Sequence, residues 1–146
     1  MKLIYRRRLL KLAKFLRKKV APLSEKLTPD GYRIFSMNNY LTSLPDGSCP
    51  ERASLDCGTS ACAAGWATAV FNAVTYHDNH GHFHIDRRCP GGRQTAMGSI
   101  GLFFGIRSGV DRVDLFGATP RDAMQEAYII EEFVKRHRPT RKRRRR

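Results

Sequence analysis

The sequence predicts a mainly α-helical protein: a small single-domain helical fold with a short irregular or hairpin insert around residues 74–91. Three observations point there. Residues 3–20 repeat apolar side chains every three or four positions. Residues 59–74 are rich in alanine, the best helix former. "TPRD" at 119–122 reads as a helix start, and an apolar stripe follows it to residue 137. A chain of 146 residues buries roughly two thirds of its unfolded surface, so one core needs no covalent staples. The expected division is a compact domain over 1–137 and a disordered basic tail over 138–146.

The first helix, about 3–20, sets Tyr5, Leu9, Leu12, Leu16 and Val20 on one face, and Pro22 is expected to end it. A basic amphipathic helix of this kind can lie on a membrane or a partner; covering a core is the expected role. Residues 21–56, with Pro22, Pro29, Pro45 and Pro50, read as irregular. Within them "YRIFSMNNYL" reads as a strand or a single helical turn against the core.

The next helix, about 59–74, opens in "DCGTSACAAGWA". Gly58 permits the chain reversal, and Thr59 or Ser60 supplies the cap. Cys62, Trp66, Ala69, Val70 and Ala73 then share a face, which makes Trp66 a core anchor rather than a base-stacking platform. "VTYH" and "HFHI" flank "DNHG", a hairpin pattern. Residues 95–106 read as helix despite Gly98 and Gly101, and "GVDRVDLF" reads as a short connection. The last helix, about 120–137, takes Thr119 as cap, Pro120 as first residue and Asp122 as the residue reaching back. Ala123, Ala127, Ile130 and Val134 line its inner face, widened by Met124, Tyr128 and Phe133. Lys135, Arg136 and His137 suit its C-terminal dipole.

"FSMNNY", "CGTSACAAGWA", "IGLFFGI", "DLF" and "TPRDAMQEAYIIEEFV" follow one another in an order that resembles a family of small uncharacterised phage and bacterial proteins. The resemblance spans about residues 9–136, and the Cys-Gly-Thr-x-x-Cys-x-Ala-Gly-Trp-Ala motif is its most specific part. It implies a phage or prophage origin and an all-helical core, and it implies no activity. The His-rich insert at 76–90 and the basic ends depart from the family pattern, so any function special to this chain is expected there.

Charge is concentrated at the ends. Residues 1–19 hold nine Lys/Arg and no acid, and residues 135–146 hold nine more and no acid. Residues 20–134 hold nine Lys/Arg against all 13 acids, a net of −4. Basic arms on a mildly acidic body suit a polyanion. The candidate phosphate contacts are Arg6, Arg7, Arg8, Lys11, Lys14, Arg17, Lys18 and Lys19 in the first arm. Arg138, Arg141, Lys142, Arg143, Arg144, Arg145 and Arg146 supply the second. The expected function is a non-enzymatic phage accessory protein binding nucleic acid, DNA or RNA, or a nucleic-acid-containing host complex. The alternatives are a module that modulates a host protein and a small structural-zinc protein. The expected location is the host cytoplasm: no apolar run approaches the roughly 18–20 residues of a membrane span, and no secretory signal is read at the N-terminus.

Four cysteines in such a chain do not argue for disulfides. The zinc reading takes Cys57, Cys62, His82, His84 and Cys89, since zinc needs four thiolate or imidazole donors. His77 and His80 are further candidates, and on a strand His80, His82 and His84 share a side. A thiol-nucleophile reading takes Cys57 or Cys62 at a helix start, His77 or His84 as base and Asp78 or Asp86 as orienter. No phosphate-binding glycine loop, nucleophile elbow, paired-carboxylate motif or HExxH accompanies them, so no enzyme is expected.

Overall fold

In the computed structural model of the chain the described residues are 1–23, 26–27, 33–37, 41, 51–55, 60–77, 82–85, 96–117, 119 and 121–137. Five α-helices and one two-stranded hairpin are found among them. Helix α1, Leu3–Phe15, continues into a π turn, Leu16–Val20, and a 3-10 turn, Ala21–Leu23. Leu9, Leu12, Ala13, Leu16 and Val20 are fully buried along one side of this run, so the apolar period read in the sequence is the core-facing stripe. Pro22 does not stop the chain at once, because a proline in the first turn of a new helical segment has no donor to lose.

The second helix is shorter than expected. α2 spans Ala63–Val70, and its N-cap is Cys62, with no side-chain capping bond. Ser60 is used elsewhere: its Oγ donates to the Arg33 carbonyl at 2.5 Å. Ala61 joins the segment around Phe35 through Ala61 N–H to Ile34 O (3.1 Å) and Ser36 N–H to Ala61 O (3.2 Å). Ser60 and Ala61 are therefore extended bridge, not helix cap. At the other end Arg52 closes the helix. Its guanidinium donates to the carbonyls of Thr68 (3.0 Å), Phe71 (3.3 Å) and Asn72 (2.6 Å). Thr68 Oγ1 donates to Gly65 O and accepts from Ala53 N–H. Residues 61–68 are buried, whereas Ala69 is exposed and off the inner face.

The expected hairpin is present. β1, Val74–His77, pairs antiparallel with β2, His82–Ile85, in the register Val74 to Ile85 and Tyr76 to Phe83. Those four side chains are buried, with the Tyr76 and Phe83 rings 5.0 Å apart. β1 packs on α2, and β2 packs on the third helix, α3, Ala96–Phe103.

α3 ends at Gly105, whose φ is +71°. Ile106 N–H reaches Gly101 O at 2.7 Å and Gly105 N–H reaches Leu102 O at 3.0 Å, the paired closure that a left-handed residue after a helix makes. The Tyr5 ring lies directly on Gly105, inside the space a Cβ needs. Gly105→Ala is expected to lower stability by at least about 1–2 kcal/mol from the backbone alone. Thermal melts check this, and adding Tyr5→Ala should recover only the steric share of the loss.

"GVDRVDLF" is a helix, not a connection: α4 spans Gly109–Phe116. Ser108 caps it, its hydroxyl accepting from Asp111 N–H at 3.3 Å. Leu115 and Phe116 are buried. The Phe104 ring stacks on Phe116 at 5.5 Å and meets Phe71 and Phe103 edge-on at 5.7 and 5.1 Å, so aromatic packing joins α3, α4 and the end of α2.

α5, Ala123–Arg136, starts later than expected. Asp122 is its cap: Asp122 Oδ1 accepts from Gln125 N–H at 2.7 Å, and Gln125 Oε1 accepts from Asp122 N–H at 3.1 Å. Thr119 is exposed and outside the helix, so it is not the cap. Ala123, Ala127, Ile130, Phe133 and Val134 face inward as read, but Met124 and Tyr128 do not, and Glu126 takes a fully buried place. α5 packs along α1 and its π turn.

Candidate nucleic-acid interface

Because α1 buries one side, its cations divide by position. Arg7, Lys11, Lys14 and Lys18 are exposed at a spacing of four, three and four, which is one face of a helix. That face lies opposite Leu9, Leu12, Leu16 and Val20. At a rise of 1.5 Å per residue the stripe is ~16 Å long. Lys19 is also exposed, beside its end. Of these cations Lys11 leans inward, its ammonium 5.4 Å from the Phe71 ring centre.

Two of the expected contacts have other duties, and a third is half-buried. Arg8 is half-buried: it donates to Phe103 O at 2.6 Å and lies over the Phe103 ring at 4.0 Å. Arg17 pairs with Glu131 at 2.6 Å. Arg6 is half-buried, and its Nε has no hydrogen-bond partner. Arg138 and residues 141–146 lie outside the described residues. The outer side of α5 does not extend the stripe over its length, since it carries Glu131 and Glu132, which pair with Arg17 and Lys135. Lys135, Arg136 and His137 at its end are exposed.

Only some of the metal and thiol candidates lie among the described residues. Cys57, Gly58, Cys89, His80, Asp78 and Asp86 lie outside the described residues. The hairpin register places position 77 opposite 82 and 75 opposite 84. Among the described residues no group of three metal-ligating side chains forms. Cys62 is fully buried, and burial pushes its thiol up to about 11 against the pull of nearby backbone amides. A helix-start thiol was expected to be lowered; here desolvation wins, so Cys62 is not an activated nucleophile. A variant keeping only Cys62 among the cysteines should resist a thiol reagent until unfolded, read by mass; prompt labelling of the folded chain contradicts this.

Trp66 is fully buried as a core anchor, with Phe15 at 6.1 Å. The sequence reading missed a second buried feature. Glu126 and Arg121 form an ion pair at 2.7 Å, with side-chain exposures of 0% and 11%. Burial raises the Glu126 carboxyl to about 7, against the lowering effect of Arg121. Its Oε1 and the Trp66 Nε1 are both buried without a partner. The available signal was the position: 126 falls between 123 and 130 on the inner face.

No family model, curated protein or solved structure matches the chain.

Proposed function

We propose that the protein binds nucleic acid, alone or within a host nucleoprotein, through the exposed face of α1 and the basic C-terminal tail. The stripe Arg7–Lys11–Lys14–Lys18 is the observation that carries this reading. It is exposed and opposed to the core. A second physical point supports it. α1 has no acid in its first turn, and Arg6, Arg7 and Arg8 crowd its N-terminal part. Arg7 is exposed there and opposes the helix dipole, so local stability does not account for it; a polyanionic partner does. Contacts of this kind grip phosphate and confer no sequence choice. The phage setting rests on the motif resemblance, and the host cytoplasm follows from that setting. Among the described residues no helix is long and apolar enough to cross a membrane.

Binding to random-sequence DNA or RNA should weaken steeply with salt. Lys14→Glu with Lys18→Glu is expected to reduce the log–log slope by about 2, one per lost phosphate contact. Removing residues 138–146, which hold seven Lys/Arg, should flatten it further. A slope untouched by either change sinks the reading.

A host-protein contact is the second reading. Val110 and Val113 are 71% and 57% exposed on α4, one turn apart. Capture of a host protein that survives both nuclease and high salt favours that contact over nucleic acid.

A further inference from the structure

α5 leaves apolar side chains in water where its inner face has no need of them: Tyr128 is 57% exposed and Met124 44%. Four residues apart, they stand on one helix face. With Ile129, Gln125, Arg17 and Arg121 they line an open groove of about 520 Å³, within the ~300–1,000 Å³ of small-ligand sites. The walls differ in chemistry. Tyr128, Met124 and Ile129 make an apolar floor with one aromatic ring. Arg17 reaches over it from the π turn, Nη1 donating to the Met124 sulfur at 3.6 Å and Nη2 to Glu131 at 2.6 Å. Its side chain is still 38% exposed. Arg121, paired inward to Glu126, stands on the rim. Gln125 Oε1 is engaged by the cap, so its NH₂ is the part left to donate.

We propose that this groove receives one unpaired nucleobase, stacked on Tyr128 beside Met124, with the adjoining phosphate on the Arg17 N–H donors that Met124 and Glu131 do not take. A base presents a flat polarisable face to an aromatic wall and carries an anion one bond network away. The groove supplies both at once. It is also continuous with the basic stripe, since Lys14 and Lys18 are exposed within one turn of Arg17 on the same helical run. Paired bases inside a duplex cannot enter it. The inference rests on the nucleic-acid reading and narrows it to single strands. An acidic peptide matches the cations equally well but has no use for the exposed ring, which is why the base is favoured.

The test uses the full chain and three labelled probes with equal numbers of phosphates: oligothymidylate, a duplex, and an abasic strand. Fluorescence anisotropy reads binding, and circular dichroism checks that each variant is folded. The native chain should prefer oligothymidylate to the abasic strand. Tyr128→Ala should lower oligothymidylate affinity about tenfold, leave duplex and abasic binding unchanged, and leave the salt slope unchanged. Tyr128→Phe, which keeps the ring, should restore native affinity. Equal losses on all probes, or no loss on oligothymidylate, overturn the groove assignment and leave the stripe intact. A glutamate-rich peptide that displaces oligothymidylate from native protein as well as the unlabelled strand does, and fails against Tyr128→Ala, reassigns the groove to a peptide. A native chain that binds none of the three probes overturns the nucleic-acid reading itself.

Discussion

Trp66→Ala is expected to cost about 4 kcal/mol. Trp66 is fully buried on a helix whose residues 63–68 are all buried. The alanines beside it on α2 are short and cannot reach in to fill the cavity. For a chain of this size the loss lowers the melting temperature by about 10 °C or more and consumes a large part of a typical domain's stability. Trp66→Phe should cost much less. It keeps most of the apolar volume and removes the unpartnered Nε1–H, whose desolvation opposes folding. Guanidinium unfolding of the two variants checks both the size and the order of the losses. Equal losses would show that ring volume is not what the site needs.

Glu126 gives the second large effect, through pH. Its carboxyl is raised from 4.5 to about 7 in the folded chain, mainly by burial. The folded state therefore holds a proton that the unfolded chain releases near 4.5. That contribution is complete below about pH 4.5 and is lost as pH rises through about 7. The expected decline is about 3 kcal/mol, opposite in direction to that of a carboxylate lowered by its ion pair. Denaturant melts across this range should show the native chain losing stability relative to Glu126→Gln, which cannot titrate. Parallel curves for the two proteins would contradict the assignment. Arg121→Met should extend the decline to higher pH, because the buried carboxylate then ionises without its partner.

Most of the helical framework was legible because periodicity and burial coincide. Leu9, Leu12, Leu16 and Val20, and likewise Ala123, Ala127, Ile130 and Val134, recur at helical spacing and are buried at those positions. The hairpin was legible from alternation, with Val74, Tyr76, Phe83 and Ile85 inward. α4 was not, because Val110 and Val113 point to water and blur its apolar face. Its remaining signal was Ser108 three residues ahead of Asp111, a cap pattern. The end of α2 is set by Arg52, which meets carbonyls 16 to 20 residues away, and no local pattern encodes that. The start of α5 was misplaced because Thr119-Pro120 and Asp122-x-x-Gln125 are both start signals, and the reciprocal pair prevailed. For Glu126 position argues for the core and charge for the surface, and only Arg121 beside it reconciles the two. At the candidate interface, the basic character of α1 was plain from composition. Composition could not tell Arg8 and Arg17, held by Phe103 and Glu131, from Lys14 and Lys18.

The packing of α1 on α5 has a consequence during synthesis. The Arg17–Glu131 contact joins residues 114 apart, so α1 leaves the ribosome well before α5, the helix it packs along. Until α5 emerges, the apolar side of α1 has only part of its final cover, beside a dense row of cations. The α1–α5 packing then cannot form before α5 has been translated.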